Sequence, residues 1–302
     1  MHRVLAAIDR HLDEPLDLVT LSGVACFSPF HFHRLFTAWM GETVGDYLRR
    51  RRLEVAAMRL ATQPRTRVLD VALGVGFGSA EAFTRAFRGR FGTSPSAWRA
   101  NEVAARRVQK SKPGQVESKR SQASEPRAVD NAFSMQRPQE TPMKIRIVDR
   151  QNASIVYLRR IGPYGEQISD FWQNVYYPWA LAEGLLDRAR YGISYDDPAI
   201  TAPEKCRYDA GADIGSDAGP EFVPRGGAQR LTLPGGRYAV LDFRGRSDEI
   251  VAGWARLLRD WLPESGHQLD SRPFFEHYPT TAGYDPATGI FECELCIPIA
   301  PL

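Results

Sequence analysis

The chain has 302 residues, of which 43% are apolar and 25% are charged, with four cysteines and a formal net charge of +3. This composition excludes collagen-like, wholly disordered and disulfide-scaffold proteins, and no window approaches the ~18 consecutive apolar residues of a membrane-spanning helix. Residues 1–110 hold 17 basic and 10 acidic residues, net +7, whereas residues 142–302 hold 17 basic and 22 acidic residues, net −5. The basic first third favours a polyanionic partner.

An internal repeat dominates the first hundred residues. Its first copy is Phe32-x-Arg34-x-Phe36 followed by Gly41, Thr43 and Tyr47, and its second copy, 51 residues later, is Phe83-x-Arg85-x-Phe87 followed by Gly92, Ser94 and Trp98. A short apolar helix and a serine suited to begin the next helix precede each copy. The repeat therefore predicts two helix-turn-helix units in an all-α N-terminal domain.

The second helix of each unit has one apolar and one polar side. Phe32, Leu35, Phe36 and Trp39 recur at i, i+3, i+4 and i+7, and we expect this stripe to face the core. The opposite side carries hydrogen-bonding groups, and a protruding helix of this kind fits the DNA major groove. The predicted DNA-binding residues are Ser28, Phe30, His31, His33, Arg34 and Thr37 in the first unit and Ser79, Glu81, Thr84, Arg85 and Arg88 in the second.

A run of about 20 strong helix formers, ended by Pro64, connects the two units. Such a helix is roughly 30 Å long, close to the ~34 Å spacing between successive major grooves. The sequence thus predicts that one chain reads two neighbouring grooves of double-stranded DNA. The basic run Arg49 to Arg52 on this helix is expected to face solvent or phosphate.

Composition changes after the repeat. Residues 106–141 are rich in Ser, Gln, Pro and charge, which predicts a flexible linker between an N-terminal domain at 1–105 and a C-terminal domain at 142–302. In the C-terminal domain, short β-branched runs alternate with two helical stretches. We expect an α+β domain of two pseudo-twofold strand-helix-strand-strand units, with antiparallel sheets and a groove between the halves.

Glu276 is the candidate ligand-binding residue of the second domain. Strand alternation places Phe274, Glu276 and Tyr278 on one face, so that a carboxylate lies between two aromatic rings. A buried carboxylate needs a compensating partner, and aromatic faces and a carboxylate both attract a lipophilic cation. The simpler alternative is a strand glutamate that points into water. Further aromatic residues expected to complete the wall are Tyr164, Trp172, Tyr195 and Tyr208.

Two other motifs carry little functional signal. Cys293 and Cys296 lie three apart in a predicted strand and therefore point to opposite faces, which argues against a zinc or redox pair. Gly74-x-Gly76-x-Gly78 follows a helix, where a phosphate-binding loop requires a strand, and is interpreted as a turn. We expect no metal, no cofactor and no catalytic residue.

Both halves resemble known families. The stretch from Ile8 to about Arg99 resembles the DNA-binding domain of the AraC/XylS transcription regulators in CFSPFHFHRLF, YLRRRRLEVA and GFGSAEAFTRAFRGRFGTSPSAWR. Residues 143–299 resemble the GyrI-like, or effector-binding, domain in RIGPYGE, YGISYDDP, CRYDAGADI, LPGGRYAVLDFRG and PFFEHYP. The second resemblance implies an amphipathic ligand between the repeats, with Glu276 at the position of the family's pocket glutamate.

These observations predict a bacterial, ligand-responsive transcription regulator, an activator, located in the cytoplasm and not in a membrane. Its expected partners are double-stranded DNA, a small cationic or amphipathic effector, and RNA polymerase. The alternative is a small-molecule hydrolase or a drug-sequestering protein fused to an autoregulatory DNA-binding domain, because the resemblance extends to domains that hydrolyse small molecules with a pocket glutamate.

Overall fold

A computed structural model of the chain describes residues 1–101, 145–215, 225–270 and 272–302. The predicted linker at 106–141 lies outside these residues. The N-terminal part is all helical, as predicted. Its helices are α1 (His2–Arg10), α2 (Leu18–Ala25), α3 (Pro29–Met40), α4 (Val44–Thr62), α5 (Val68–Leu73), α6 (Ala80–Phe91) and α7, described over 95–101. Helix α4 joins two helix-turn-helix units made of α2–α3 and α5–α6.

The repeated residues have the same structural role in both units. Ser28 and Ser79 accept hydrogen bonds from the backbone N–H three residues on and so begin α3 and α6. Gly41 and Gly92 end these helices with φ of 68° and 71°, in the left-handed region that favours glycine. The 51-residue repeat is therefore a repeat of helix starts and stops.

Aromatic contacts close each unit. Tyr47 packs edge-on against Phe36 at 5.6 Å between ring centroids, and Trp98 packs in the same way against Phe87 at 5.9 Å. These rings arise from the helix that follows each unit, whose start is capped by the hydroxyl of Thr43 or Ser94. The second helix of each unit, α3 or α6, is thus held by its own aromatic core.

The apolar stripe of α3 is narrower than predicted. Phe32 and Phe36 are fully buried, but Leu35 and Trp39 are 36% and 39% exposed. Helix α3 protrudes, and its neighbours cover only its i, i+4 edge. The Trp39 indole lies edge-on against His2, 5.0 Å away, so the expectation that Leu35 and Trp39 face the core is wrong.

The expectation that the basic run on α4 faces solvent or phosphate is also wrong for three of its four arginines. Arg49 is exposed, but Arg50 pairs with Glu42 and Glu54, and the Arg52 guanidinium donates to the backbone carbonyls of residues 12 and 14. Arg51 is only 4% exposed. Three of the four arginines therefore hold the protein together instead of facing solvent or phosphate.

The C-terminal part is α+β and fully antiparallel in its strand pairs, as predicted. Its strands are β1 (Ile145–Arg150), β2 (Ala153–Ile161), β3 (Arg190–Ser194), β4 (Arg207–Asp213), β5 (Gln229–Leu233), β6 (Gly236–Gly245), β7 (His267–Leu269), β8 (Phe274–Tyr278), β9 (Tyr284–Asp285) and β10 (Ile290–Pro301). They join in one ten-stranded sheet in which eight strands follow the order β1-β6-β10-β8-β3-β4-β2-β5 and β7 and β9 pair with β10. The two expected sheets are therefore continuous through the β8–β3 pair.

One helical stretch follows β2 and another follows β6, which fits the predicted duplication. The first is α8 (Glu166–Phe171), a π-helical turn (Trp172–Tyr176) and α9 (Tyr177–Ala182). The second is α10 (Ile250–Ala255) followed by a π-helical turn (Arg256–Trp261). Within the described residues, no helix is both long and apolar enough to cross a membrane.

Candidate DNA-reading helices and small-molecule site

Both candidate reading helices present side chains to solvent. On α3, Phe30 is 74% exposed and the Arg34 guanidinium lies over its ring at 5.8 Å. The exposed predicted residues are Ser28, Phe30, His31, His33 and Arg34 on the first unit and Glu81, Arg85 and Arg88 on the second, with Ser79 and Thr84 half-buried. The structure thus leaves Arg34 and Arg85, at equivalent repeat positions, free to reach a ligand.

Two of the predicted hydroxyl contacts have local roles, and a third is buried. The hydroxyls of Ser28 and Ser79 accept backbone hydrogen bonds at the helix starts. The hydroxyl of Thr37 is buried, with no hydrogen-bond partner among the described residues. The arginines, the histidines and Phe30 are therefore the better candidates for contacts to DNA.

Glu276 lies in the middle of the sheet, on β8 between β3 and β10. It is 6% exposed. The hydroxyls of Tyr208 and Tyr278 both donate to Oε2, at 2.7 and 2.9 Å. The Trp172 indole N–H in turn donates to the Tyr208 hydroxyl at 3.0 Å, so that a short polar chain runs from the carboxylate to the helical stretch.

Aromatic rings form the wall of this site. The Trp172 ring lies 5.4 Å from the Tyr278 ring and 4.5 Å from the Tyr176 ring, and Tyr164 packs edge-on against Tyr208 at 6.3 Å. Trp172 begins a π-helical turn, a local distortion that is frequent at functional sites. Tyr176 is a residue that sequence reasoning missed, and its buried hydroxyl has no hydrogen-bond partner among the described residues.

A glycine makes room for the carboxylate. Gly192 on β3 is the register partner of Glu276, and a methyl group there would overlap both the Tyr208 hydroxyl and the Glu276 carboxylate. Close approach of other atoms is a common reason for glycine inside a strand. The glycine within YGIS is the only sequence signal for this contact, and it can be interpreted only once the pairing of β3 and β8 is known.

The electrostatics of Glu276 are unusual. Burial raises its pKa to about 7, although hydrogen bonds from Tyr208 and Tyr278 act in the opposite direction. No cation is among its hydrogen-bond partners or the causes of this shift in the described part of the chain. The site therefore contains a buried carboxylate whose charge is only partly compensated.

Some of the predicted wall residues lie at Glu276 and others do not. The structure brings Trp172, Tyr208 and Tyr278 to Glu276, with Tyr164 behind Tyr208, and places Phe274 two residues along the same strand face, stacked on Trp254 at 6.3 Å. It does not bring Tyr195, whose ring lies under the guanidinium of Arg159 at 4.7 Å. Tyr195 lies one residue beyond the end of β3 at Ser194.

The two cysteines of the C-x-x-C motif point to opposite faces of β10. Cys293 packs into the core on one side of β10, and Cys296 packs into the core on the other. Within the described ranges, no group of three or more His, Cys, Asp or Glu side chains is arranged to hold a metal ion.

Residues 143–300, just over half of the chain, match the family model of the GyrI-like small molecule binding domain, and residues 21–101 match a helix-turn-helix domain model. The chain belongs to the family with a GyrI-like small molecule binding domain. It also carries an AraC-type helix-turn-helix domain, and is therefore a DNA-binding transcription regulator with a small-molecule domain.

Several similar proteins each match only one part of this chain. Regulatory protein SoxS of Escherichia coli K12 is 36% identical over 32% of this chain and 89% of its own length. YosT, an SPbeta prophage-derived protein of Bacillus subtilis, is 30% identical over 52% of this chain and 99% of its own length. A solved structure of the AdpA DNA-binding domain in complex with a target DNA is 34% identical over 35% of this chain and 95% of that chain, with a TM-score of 0.33.

Proposed function

We propose that the C-terminal domain binds a lipophilic organic cation at Glu276 and that this binding regulates transcription. The observation that carries the proposal is the carboxylate itself, which is buried among aromatic rings and has, among the described residues, two hydroxyls and no cation as hydrogen-bond partners. A cation that stacks between the rings would supply the missing charge. Because Glu276 is closed off, the ligand must displace the half-buried Tyr278 or the ring of Trp172 as it enters.

The N-terminal domain, in this proposal, reads two successive major grooves with α3 and α6. Its support is the exposure of Arg34 and Arg85 at equivalent repeat positions and the 19-residue length of α4. A regulator that acts on bacterial DNA works in the cytoplasm. Activation through contact with RNA polymerase stays a prediction, and transcription in vitro from a selected promoter with and without the protein tests it.

The ligand proposal is tested with rhodamine 6G, a fluorescent lipophilic cation. We expect wild-type protein to bind the dye and Glu276→Gln, which keeps the shape but removes the charge, to bind at least about tenfold more weakly. Glu292→Gln is the matched control, because Glu292 is a half-exposed strand glutamate near Arg244 and should not alter binding. Equal affinity of wild type and Glu276→Gln contradicts the proposal.

The DNA proposal is tested on a duplex obtained by selection from a random library. Arg34→Ala and Arg85→Ala should each weaken specific binding by ~1 to 3 kcal/mol if they contact bases. Arg244→Ala, on the surface of the other domain, is the control. Loss of only salt-dependent, sequence-independent affinity would instead identify the two arginines as phosphate contacts, and protection of a single groove would contradict the two-groove arrangement.

A second candidate function is hydrolysis of a small molecule. It is favoured by one observation, the pKa of about 7 for Glu276 beside two hydroxyls, because a general base is most effective when its pKa is near the working pH. Mass spectrometry of a neutral ester incubated with wild type and with Glu276→Gln separates the two functions. Product formation that depends on Glu276 would show that the domain hydrolyses its ligand and would contradict the proposal that it acts as a sensor.

A further inference from the structure

The two domains share a buried ionic cluster, made of Asp9, Arg51, Asp196 and Arg207. The Asp196 carboxylate receives two hydrogen bonds from the Arg207 side chain, at 2.9 and 3.0 Å, and one from Arg51 at 2.5 Å. Asp9 on α1 pairs with Arg207 and, at 3.4 Å, with Arg51 on α4. The cluster thus joins the helix between the two DNA-reading units to strand β4 and the loop before it.

These charges are removed from water. The side chains of Asp196, Arg207 and Arg51 are 0%, 1% and 5% exposed. Burial alone would raise the pKa of Asp196, but Arg207 and Arg51 lower it to about 2. Removal of one of these ions should strongly destabilise the folded protein, because it leaves the charges of the others uncompensated in the protein interior.

Further contacts hold α4 along its whole length. Lys205 pairs with Glu42 at 3.0 Å just before the helix, and the Gln63 amide just after it donates to the Leu269 carbonyl at 2.8 Å. Ile161 packs against the core of the first helix-turn-helix unit, and Ile200 packs against that of the second. The C-terminal domain therefore contacts both units, while α3 and α6 keep exposed polar sides.

The cluster is also connected to the small-molecule site. The Tyr164 hydroxyl donates to the Arg207 carbonyl at 2.7 Å and accepts from the Asp196 backbone N–H at 3.3 Å, while its ring packs against Tyr208. Tyr208, the next residue after Arg207, donates to Glu276. On the other side, the Arg207 guanidinium donates to the Tyr47 hydroxyl at 3.4 Å.

From these contacts we propose that Arg51, Asp196 and Arg207 couple the Glu276 site to α4, so that ligand binding changes how the C-terminal domain holds the helix between the two reading units. The proposal rests on the proposed function, whose regulation it specifies. A ligand that displaces Trp172 or Tyr278 breaks their hydrogen bonds to Tyr208 and Glu276. The resulting shift of Tyr208 moves Arg207 on the same strand and Tyr164 beside it. Tyr47 transmits this to α3, because its ring packs against Phe36. Tyr164, predicted as a ligand contact, is by its hydrogen bonds a positioning residue in this pathway.

The coupling is tested first without ligand, by hydrogen exchange of the full chain. Arg51→Met keeps a long side chain but removes the charge, and Arg49→Met, on the exposed side of the same helix, is the control. We expect Arg51→Met to speed exchange about tenfold in α4 and also in β4 across the interface, whereas Arg49→Met leaves β4 unchanged. Faster exchange confined to the N-terminal helices overturns the proposal.

If Arg51→Met does not fold, Lys205→Met tests the same interface from its partly exposed rim. It removes only the pair with Glu42. We expect a smaller increase in exchange in both α4 and β4, and an increase that is missing from either of them overturns the proposal.

The second test adds rhodamine 6G. In wild type, bound dye should change exchange in α4, and in Arg51→Met the dye should bind while α4 no longer responds. Dye that binds wild type without any response in α4 overturns the coupling. If the dye does not bind wild type, the proposed function and the ligand-driven part of this proposal are both overturned. The hydrogen-exchange experiment without ligand still tests whether Arg51 links α4 to β4.

Discussion

Arg207 and Tyr208 are consecutive residues of β4 whose side chains serve opposite faces of the sheet. Arg207 pairs with Asp9 and Asp196 at the N-terminal helices, whereas Tyr208 donates to Glu276 in the aromatic site. Strand geometry requires this alternation, because successive side chains point to opposite faces. The proposed ligand site and the domain interface therefore use consecutive residues of one strand, which pairs with β2 on one side and β3 on the other.

Dye binding should depend on pH through Glu276. The pKa of this carboxyl is raised to about 7, and only its ionised form attracts a cation. The affinity for rhodamine 6G should rise about tenfold per pH unit below 7 and level off above it. Tyr208, Tyr278 and Cys293 face the same carboxyl, and burial raises the pKa of each, so they stay protonated across this range.

The measurement is fluorescence anisotropy of the dye at pH values from 5.5 to 8.5, with Glu276→Gln as the control. The variant should bind weakly and without this pH dependence. A pH profile shared by both proteins would show that some other group controls binding.

The stability of the C-terminal domain should also change with pH. The pKa of Glu276 is near 4.5 when unfolded and about 7 when folded, so between these values the folded state holds the extra proton. Stability therefore falls as the pH rises from about 4.5 to 7 and is constant above, with a total loss of roughly 3 kcal/mol from this group.

Urea unfolding at pH 5 and pH 8 checks this linkage. Glu276→Gln has no such proton to lose, so it should be more stable than wild type at pH 8, and the difference should shrink at pH 5. A variant that is less stable at pH 8 would mean that the ionised carboxylate is compensated in the folded protein.

Much of this architecture can be predicted from the sequence, because local chemistry determines it. The helix starts at Ser28 and Ser79 and the stops at Gly41 and Gly92 follow from capping and backbone preferences of single residues. The shared face of Glu276 and Tyr278 follows from strand alternation alone. Such features need only a few neighbouring residues to be specified.

Contacts between distant parts of the chain could not be predicted in this way. One partner of Arg51 is Asp196, 145 residues away, and nothing in the sequence around RRRR distinguishes this buried arginine from exposed Arg49. The same applies to Gly192, whose importance depends on its pairing with Glu276. Periodicity contains no information about how separate elements pack, so the contacts between the two domains could not be predicted from it.

Two glycines of the N-terminal domain should respond oppositely to alanine. Gly41 has open space around it but a φ of +68°, so Gly41→Ala should cost ~1 kcal/mol through backbone strain alone. Gly23 lies inside α2, also with open space, and Gly23→Ala should gain ~0.5 to 1 kcal/mol because alanine favours the helix. Thermal unfolding of the full chain measures both. Equal effects of the two substitutions would contradict the role of Gly41 as a helix stop.

Gly192→Ala should displace side chains of the proposed small-molecule site. The added methyl group overlaps the Tyr208 hydroxyl and the Glu276 carboxylate, so both must move apart. We expect a loss of ~1 to 3 kcal/mol in stability from overpacking, together with weaker binding of rhodamine 6G. Ser194→Ala, two residues along the same strand face, removes an atom instead of adding one and serves as the control for both measurements. If Gly192→Ala binds the dye as well as wild type, the hydrogen bond between Tyr208 and Glu276 is not part of the binding site, and the lipophilic cation must be held elsewhere in the domain.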